Sequence, residues 1–261
     1  MKILFIGDIF GKAGRKLIFD RLPELKKELS IDFCIANGEN AAQGRGITER
    51  TANYLFDAGI DVFTSGNHLW DKKDALEFIK NEPRILKPIN NSSMAYGNEY
   101  FIYQFDSGYK IAVFTVIGQV FMGPADSPFR ACDKVINEIK KETSNIFVDF
   151  HAEATAEKRA LGYYLDGKVS ALVGTHTHIQ TADEEILEHG TAYLTDAGMT
   201  GPHDSVIGVK KEIILEKMLA DMPKQYTPAE TGLQINAVYV EINEKTGKAK
   251  DIKRIRRKYY D

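Results

Sequence analysis

Two histidines stand one residue apart, His176 and His178, shortly after an apolar run at residues 169–173. In an extended backbone, residues i and i+2 point to the same side and lie roughly 6–7 Å apart at about 3.3 Å rise per residue. Two metal ions at the roughly 3.5–4 Å spacing of a dinuclear site could each bind one of these imidazoles. The segment also fits a polar turn with two exposed histidines, so it does not by itself separate a metal site from a turn.

Residue types that bind metal ions also follow four other apolar segments. Together with the two histidines, the full set is Asp8, Glu39, Asn40, Asn67, His68, His151, His176 and His178. Carboxylate and imidazole ligands together suit zinc, iron or manganese better than magnesium, which prefers oxygen alone. Taken singly, these residues could instead cap helices, hold a left-handed turn or lie in the core. Their recurrence at five predicted strand ends favours a metal site.

The first 80 residues repeat one pattern three times: a short apolar strand, a polar or glycine-rich loop, and an amphipathic helix. The strands are predicted at residues 2–6, 33–36 and 61–64, and the helices near 15–29, after a Thr48 cap and after an Asp71 cap. Alternating strands and helices favour a mostly parallel, covered sheet. In such sheets ligands bind outside the carboxyl ends of the strands, which is where the candidate ligands lie.

The remainder of the chain mixes hairpins with further strands and helices. Hairpins are predicted at 100–105 with 110–116, 185–187 with 192–194, and 233–242 with 248–257. A strand at 146–150 ends at His151, and helices are predicted near 132–141, 154–164 and 210–219. Residues 196–204 are predicted to form a long polar loop. Because the chain shows no convincing linker, one domain over residues 1–261 is expected.

Composition limits the classes of partner and the compartment. The formal net charge of −3 in 261 residues predicts no general affinity for nucleic acid or membrane, although a local patch could provide one. Two cysteines, Cys34 and Cys132, give no disulfide framework and fit a reducing compartment. The apolar start is followed at once by Gly7-Asp8, too soon for a signal peptide, and no apolar run approaches 18 residues. A soluble, cytoplasmic protein is expected.

Five ordered motifs resemble those of the calcineurin-like metallophosphoesterases: Gly7-Asp8, Gly38-Glu39-Asn40, Gly66-Asn67-His68, His151 and Gly174-Thr175-His176-Thr177-His178. The chain departs from that superfamily twice. It has Asp8-Ile9-Phe10 where Asp-x-His is usual, and Glu39 where a bridging aspartate is usual. These departures, with residues 37–40, 65–68 and 196–202, are similar to the bacterial YmdB-like branch, and that resemblance covers essentially the whole chain.

The resemblance implies an α/β fold with a layered core of two packed mixed β-sheets flanked by helices. It also implies a phosphodiesterase acting on 2′,3′-cyclic nucleotides, with two metal ions that are iron or manganese, zinc being a further candidate. The first ion would be bound by Asp8, Glu39, Asn40 and His178, and the second by Glu39, Asn67, His151 and His176. Glu39 would bridge the ions, and Asn40 would replace the histidine missing at Phe10.

The chemistry of an anionic diester sets the catalytic roles. Two divalent ions would activate a water held between them and clamp the phosphoryl oxygens. His68, next to Asn67 and not assigned as a ligand, could protonate the leaving oxygen as general acid, a contribution of about 10²–10⁴-fold. Its alternative role is to orient Asn67. Because the leaving oxygen stays on the ribose, the product would be a nucleoside monophosphate, by resemblance the 3′-phosphate.

Three further features concern partners. Arg45, in Gln43-Gly44-Arg45-Gly46, could help to hold substrate, and His203 could line the pocket or lie in a surface loop. The basic segment 253–258 is interpreted as a charged strand edge rather than a nucleic-acid site. The expected partner is a small cyclic nucleotide or phosphodiester, with nucleic acid relevant as short RNA-derived products; no membrane partner is expected, and a homo-oligomer stays open.

Two other functions fit the same residues. The ligand set does not encode the second ester substituent, so a phosphomonoesterase or protein phosphatase on this scaffold is one alternative. A non-catalytic signalling protein that keeps its metal for stability is the other, and the intact His68 argues against it.

Overall fold

The computed structural model describes residues 1–259, which contain thirteen strands and six α-helices. The strands are β1 Lys2–Ile6, β2 Asp8–Ile9, β3 Phe33–Asn37, β4 Val62–Thr64, β5 Tyr100–Gln104, β6 Lys110–Ile117, β7 Ile146–His151, β8 Ala171–Thr175, β9 Glu185–Ile186, β10 Ala192–Leu194, β11 Met199–Pro202, β12 Leu233–Ile242 and β13 Ala249–Lys258. The helices are α1 Gly11–Leu29, α2 Glu49–Asp57, α3 Leu76–Asn81, α4 Pro128–Ile139, α5 Thr155–Leu165 and α6 Lys211–Ala220. A 3₁₀ turn, Lys73–Ala75, precedes α3.

The strands form two mixed sheets. The first has the order β2-β11-β12-β1-β3-β4, with β13 paired to β12, and within it β1, β3 and β4 are parallel. The second has the order β5-β6-β7-β8-β10-β9, in which the four central strands are parallel and the two edge strands antiparallel. Because parallel neighbours end at the same edge, each sheet collects its βα loops on one side.

The two sheets pack face to face, and helices cover their outer faces. Side chains alternate along β1: Ile3 and Phe5 join the layer between the sheets, whereas Leu4 and Ile6 pack with residues of α1 and α2. Phe5 meets Phe147 of β7 across that layer, with ring centroids 5.1 Å apart. A third cluster packs α4 and α5 on the second sheet. The expected α/β core of two packed mixed sheets flanked by helices is confirmed.

The layer between the sheets changes from apolar to polar at the carboxyl ends of the strands. Residues two positions after Ile35, Val62, Phe147 and Val173 are Asn37, Thr64, Asp149 and Thr175, all fully buried. Asp149 accepts hydrogen bonds from Thr64 at 2.5 Å, Thr175 at 2.6 Å and Asn37 at 3.0 Å. This network forms a polar floor beneath the loops that follow these strands.

Four local predictions were wrong. Helix α1 begins at Gly11 rather than near residue 15, and α4 begins at Pro128, where proline suits the first helical turn. Asp71 caps no helix, since Lys72 precedes the 3₁₀ turn. The predicted loop at residues 196–204 contains the buried strand β11, which pairs with both β2 and β12. Glycine and proline within β11 are unfavourable in strands, so the sequence did not predict it. Pairing with β2 and β12 outweighs this local preference.

Other predictions were confirmed. Thr48 caps α2 through a capping box with Thr51, and the three hairpins form as expected. Both cysteines are free and buried, and burial raises the pKa of each thiol. None of the helices in residues 1–259 is long and apolar enough to cross a membrane. The single domain over residues 1–261 stays a prediction.

Candidate metal centre

Three predicted ligands, Asn67, Glu39 and His176, contact the Nε2 atom of a fourth, His151. This nitrogen lies 3.1 Å from Asn67 Oδ1, 3.1 Å from Glu39 Oε1 and 3.1 Å from His176 Nδ1. One ligand atom each from Glu39, His151 and His176 lies within 4.8 Å of the others, an arrangement that could hold a metal ion. The side chains come from loops after β3, β4 and β8 and from the end of β7, so both sheets contribute.

Hydrogen bonds on the outer side of the His151 and His176 rings fix which nitrogen of each ring faces the other ligand atoms. The hydroxyl of Thr175 donates to Asp149 at 2.6 Å, so its oxygen accepts from Nδ1–H of His151 at 2.9 Å. His176 Nε2 lies 3.1 Å from Glu153 Oε2, which leaves its Nδ1 unprotonated. The Nε2 atom of His151 and the Nδ1 atom of His176 therefore face each other between two oxygen acceptors, and a cation among them would satisfy all four atoms.

Glycine is required where the chain passes behind His151. A Cβ atom at Gly66 would lie 2.0 Å from His151 Cδ2, a distance that no side chain tolerates. The Gly-Asn-His motif therefore has a steric basis: Gly66 allows the backbone to approach the imidazole, and Asn67 then places its amide oxygen against Nε2.

Asp8, Asn40 and His178 form a second group, which also contacts Glu39 Oε1. The amide nitrogen of Asn40 lies 3.5 Å from Asp8 Oδ1, 3.3 Å from Glu39 Oε1 and 3.2 Å from His178 Nε2. His178 donates from Nδ1 to the Ile207 carbonyl at 3.0 Å, so its Nε2 lone pair faces the group. A half-turn of the Asn40 amide would present an oxygen ligand in place of the nitrogen.

Phe10 stands beside the second group. Its ring packs edge-on against His178, with centroids 5.6 Å apart. A phenylalanine offers no lone pair, so it shapes this side of the site by packing alone. That Asn40 supplies a donor atom in place of a histidine here stays a prediction.

Burial of its charged groups makes the site favourable for a cation. Asp8 and Glu39 are 0% and 1% exposed, and burial raises the pKa of Asp8 well above its usual range. Burial also acts to raise the pKa of Glu39, but the charge and hydrogen bond of His151 outweigh it and lower that pKa to about 2. Burial, reinforced by the charge of His151, lowers the pKa of His176 to about 3. Buried carboxylates beside imidazoles are suited to a divalent cation.

The extended geometry expected for residues 176–178 was wrong. Strand β8 ends at Thr175, and His176 and His178 adopt positive φ values of 97° and 64°. Non-glycine residues in this region are strained and persist where the surroundings hold them. The two rings nevertheless reach separate ligand groups, because the turn, rather than strand alternation, directs them.

A buried ion pair holds this turn. Lys158 Nζ lies 2.6 Å from Asp196 Oδ2 and donates to the Thr175 carbonyl at 2.8 Å. The same carboxylate oxygen accepts from the backbone N–H of Thr177 at 3.2 Å and from its hydroxyl at 2.8 Å. Both charged side chains are almost fully buried. The pair therefore offsets the strain of the turn by satisfying its backbone groups.

His68 lies at the rim of the centre with two charged neighbours. Its Nδ1 is 3.0 Å from Asp71 Oδ2, and the Arg45 guanidinium is 3.0 Å from the same oxygen. The backbone N–H of His68 donates to Glu39 Oε2 at 3.1 Å, which ties the residue to the ligand cluster. With Asp71 at Nδ1, the second ring nitrogen, Nε2, lies 3.2 Å from Asn67 Nδ2.

His203 is not brought to this cluster. Its Nε2 donates to the Met199 carbonyl at 2.9 Å, and its backbone N–H donates to Gly232. Within residues 1–259, none of its hydrogen bonds reaches a predicted ligand. A role for His203 in substrate binding stays a prediction.

Sequence reasoning missed several supporting residues, although some carried a signal. Asp149 is a charged residue inside the apolar run 146–150, at the position that faces the polar floor. Lys158 precedes Leu161 and Leu165 by three and seven residues and so shares the buried stripe of α5. Nothing in the sequence indicated the contacts made by Asp71 and Glu153, because polar contacts between loops produce no periodic pattern in the sequence.

Comparisons with known proteins place the chain in a family. A family model described as "YmdB-like protein" matches residues 4–255. A 2′,3′-cyclic-nucleotide 2′-phosphodiesterase of Bacillus subtilis is 45% identical over 255 residues, 98% of this chain and 96% of that protein.

Solved structures extend the likeness to three dimensions. A hypothetical protein from Thermus thermophilus superposes with a TM-score of 0.93 at 36% identity, covering 99% of both chains. A novel phosphatase of Mycoplasma pneumoniae also gives 0.93, at 34% identity, covering 99% of this chain and 93% of that one. The resemblance drawn from the motifs is confirmed: the chain belongs to the YmdB-like family.

Proposed function

We propose that this protein is a dinuclear metal-dependent phosphodiesterase that hydrolyses 2′,3′-cyclic nucleotides. The observation that carries the proposal is the convergence of Asn67, Glu39 and His176 on the Nε2 atom of His151, each at 3.1 Å. The activity named for the Bacillus subtilis relative, at 45% identity, supports the choice of substrate. Imidazoles and buried carboxylates arranged in this way suit a divalent cation.

The residues divide into two overlapping ligand sets. Asp8, Glu39, Asn40 and His178 would hold one ion, and Glu39, Asn67, His151 and His176 the other. Bound there, two metal ions supply Lewis acidity that activates water and neutralises charge on the phosphoryl oxygens. The sets are rich in oxygen and lack sulfur, and both cysteines are buried in apolar clusters. Such donors favour iron or manganese, with zinc as the third candidate.

His68 would supply the proton that the leaving oxygen needs. Asp71 Oδ2 lies 3.0 Å from Nδ1 of His68, so Nε2 would carry the proton for the leaving oxygen, and the substrate would replace the Asn67 amide nitrogen that lies 3.2 Å from it. Water would add its oxygen to phosphorus and release one proton to solvent, the bond to the ribose 2′ oxygen would break, and that oxygen would take the proton from Nε2. The product is a 3′-phosphate monoester. His68 then regains a proton from solvent, to which its side chain is 23% exposed.

Arg45 would attract and orient the anionic substrate. Its side chain is 63% exposed at the rim, and its guanidinium lies 3.2 Å from His68 Nδ1 and 3.0 Å from Asp71. Guanidinium groups match the oxygens of a phosphodiester in a fork geometry. Asp71 therefore aligns both the proton donor and the anchoring cation.

The experiment measures turnover and metal content on the same purified protein. Substrates are 2′,3′-cyclic AMP, 3′,5′-cyclic AMP, an aryl phosphodiester and its monoester, and metal is measured by elemental analysis. The expected result is two metal ions per chain and the highest kcat/KM for 2′,3′-cyclic AMP. Full metal occupancy without turnover of any diester would overturn the proposal.

A phosphomonoesterase is the second candidate, because the Mycoplasma pneumoniae structure is described as a phosphatase. The same assay separates the two activities. Faster release of phosphate from the monoester than from any diester would favour the phosphatase.

A further inference from the structure

One loop, residues 118–127, leaves the second sheet beside the metal centre. It follows β6, whose last residue Ile117 pairs with His151 of β7. The backbone N–H of Gly118 donates to the His151 carbonyl at 3.0 Å. The loop therefore begins at the edge of the sheet where the predicted ligands lie, and β7 separates it from β8.

Hydrogen bonds fix both ends of this loop. The carboxylate of Glu157, in the first turn of α5, accepts from the backbone N–H groups of Gln119 at 2.8 Å and Val120 at 3.3 Å. The amide of Asn90 donates to the carbonyls of Ile117 at 2.7 Å and Asp126 at 2.8 Å. The loop is thus a built feature with a rigid base.

Phe121 stands at the apex of the loop and is 90% exposed. Its φ of 60° lies in the left-handed region, which bulky side chains rarely adopt. A glycine or asparagine would occupy this backbone conformation with less strain. A large apolar ring on a strained backbone that is exposed to solvent does not stabilise the core. We infer that the ring functions through the contacts it makes when a ligand binds.

We propose that Phe121 is the platform on which the nucleobase of the substrate stacks. This inference rests on the proposed function, since it takes the phosphate to bind at the metal centre. In a 2′,3′-cyclic nucleotide the phosphate and the base lie on opposite faces of the ribose. With the phosphate held in the cluster, the base would point away from the ligands, and the loop that carries Phe121 begins beside them, at the His151 carbonyl. Stacking on a phenyl ring gives affinity without hydrogen-bond selection, so all four bases are accepted.

The test compares two cyclic diesters that differ in the base. One is 2′,3′-cyclic AMP, and the other is glycerol 1,2-cyclic phosphate, which has the same five-membered ester ring and no base. Phe121→Ala should lower the ratio of kcat/KM for the nucleotide over the glycerol diester by about tenfold. Phe121→Trp should restore the ratio, because an indole ring also stacks.

Tyr163→Ala is the matched control. Tyr163 is an exposed aromatic residue near the end of α5, and because α5 runs back from the end of β7 to the start of β8, it lies at the opposite edge of the sheet. Its removal should leave the ratio unchanged. An unchanged ratio of kcat/KM values in Phe121→Ala would refute the stacking role of Phe121. A Phe121→Trp variant with the same ratio as Phe121→Ala would refute it as well.

A second readout separates this inference from the proposed function. If the wild-type protein hydrolysed neither diester, the proposed function would fail, and calorimetric binding of adenosine 3′-phosphate and glycerol phosphate would test the platform. Weaker binding of the nucleotide alone in Phe121→Ala would support it. Equal affinities of wild type and variant for the nucleotide would refute it.

Discussion

The Nε2 atom of His151 and the Nδ1 atom of His176 lie 3.1 Å apart, and the opposite nitrogen of each ring is engaged by Thr175 or Glu153. Two neutral imidazoles at this distance would present lone pairs to each other. A proton shared between them, or a metal ion, removes the repulsion. Because Glu39 and Asn67 add two oxygens to the same point, a metal ion is the better fit.

Removing a ligand and removing the proton donor should have different effects. His176→Ala should lose metal and activity together, since it deletes one of the four donor atoms proposed for one ion. His68→Ala should keep its metal and lose about 10²–10⁴-fold in kcat. Elemental analysis after gel filtration, paired with turnover of 2′,3′-cyclic AMP, measures both. Loss of metal from His68→Ala would refute its assignment as general acid.

The hydroxyl of Thr175 should matter although it touches no predicted ion. Thr175→Val keeps the shape of the side chain but removes the hydroxyl that links Asp149 to His151. The imidazole of His151 then loses the hydrogen bond that orients it and increases its basicity. Metal affinity should fall about 10- to 100-fold, measured by competition with a fluorescent chelator. Thr175→Ser retains the hydroxyl and should bind metal like the wild type. Equal affinity in the valine variant would contradict this role.

Asp71 should act through His68. Asp71→Asn preserves the size of the side chain but weakens its hold on Nδ1–H and on Arg45. We expect kcat for a diester with a poor alkoxide leaving group to fall about tenfold or more, while metal content stays constant. An aryl diester, whose leaving group needs no proton, should be affected much less. Similar losses with both leaving groups would indicate a structural role for Asp71 instead.

Much of this site could be predicted from the sequence. The ligand types at strand ends, the helix at Thr48 and the three hairpins follow from local patterns that need no tertiary information. The loop predicted around Asp196 failed because β11 is a strand through its partners β2 and β12, and glycine and proline within it give no strand signal.

The geometry at His176 and His178 failed for a related reason. Strand alternation predicted two rings in two ligand groups from the wrong backbone, and metal binding by those groups stays a prediction. The actual turn has positive φ values that depend on the distant Lys158 and Asp196. Such conformations are fixed by contacts between segments far apart in the chain, and sequence periodicity does not encode them.

The metal-free protein should lose stability as the pH rises. Burial acts to lower the pKa of His151, but the charge and hydrogen bond of Glu39 outweigh it and raise that pKa to about 9. An unfolded histidine titrates near about 6.5. The contribution of protonated His151 to the stability of the folded protein is therefore complete below about pH 6.5 and is lost as the pH rises through about 9. The Tm of chelator-treated protein should fall across this window. The same fall in His151→Asn would contradict the cause given.

Anomalous diffraction from crystals grown with manganese tests the central claim most directly, because it locates the ions without assuming any role for the residues. Two peaks per chain are predicted, one touching Asn67, His151 and His176 and the other touching Asp8, Asn40 and His178, with Glu39 in contact with both. A map with no peak at His151, or with Glu39 bound to neither ion, would contradict the account.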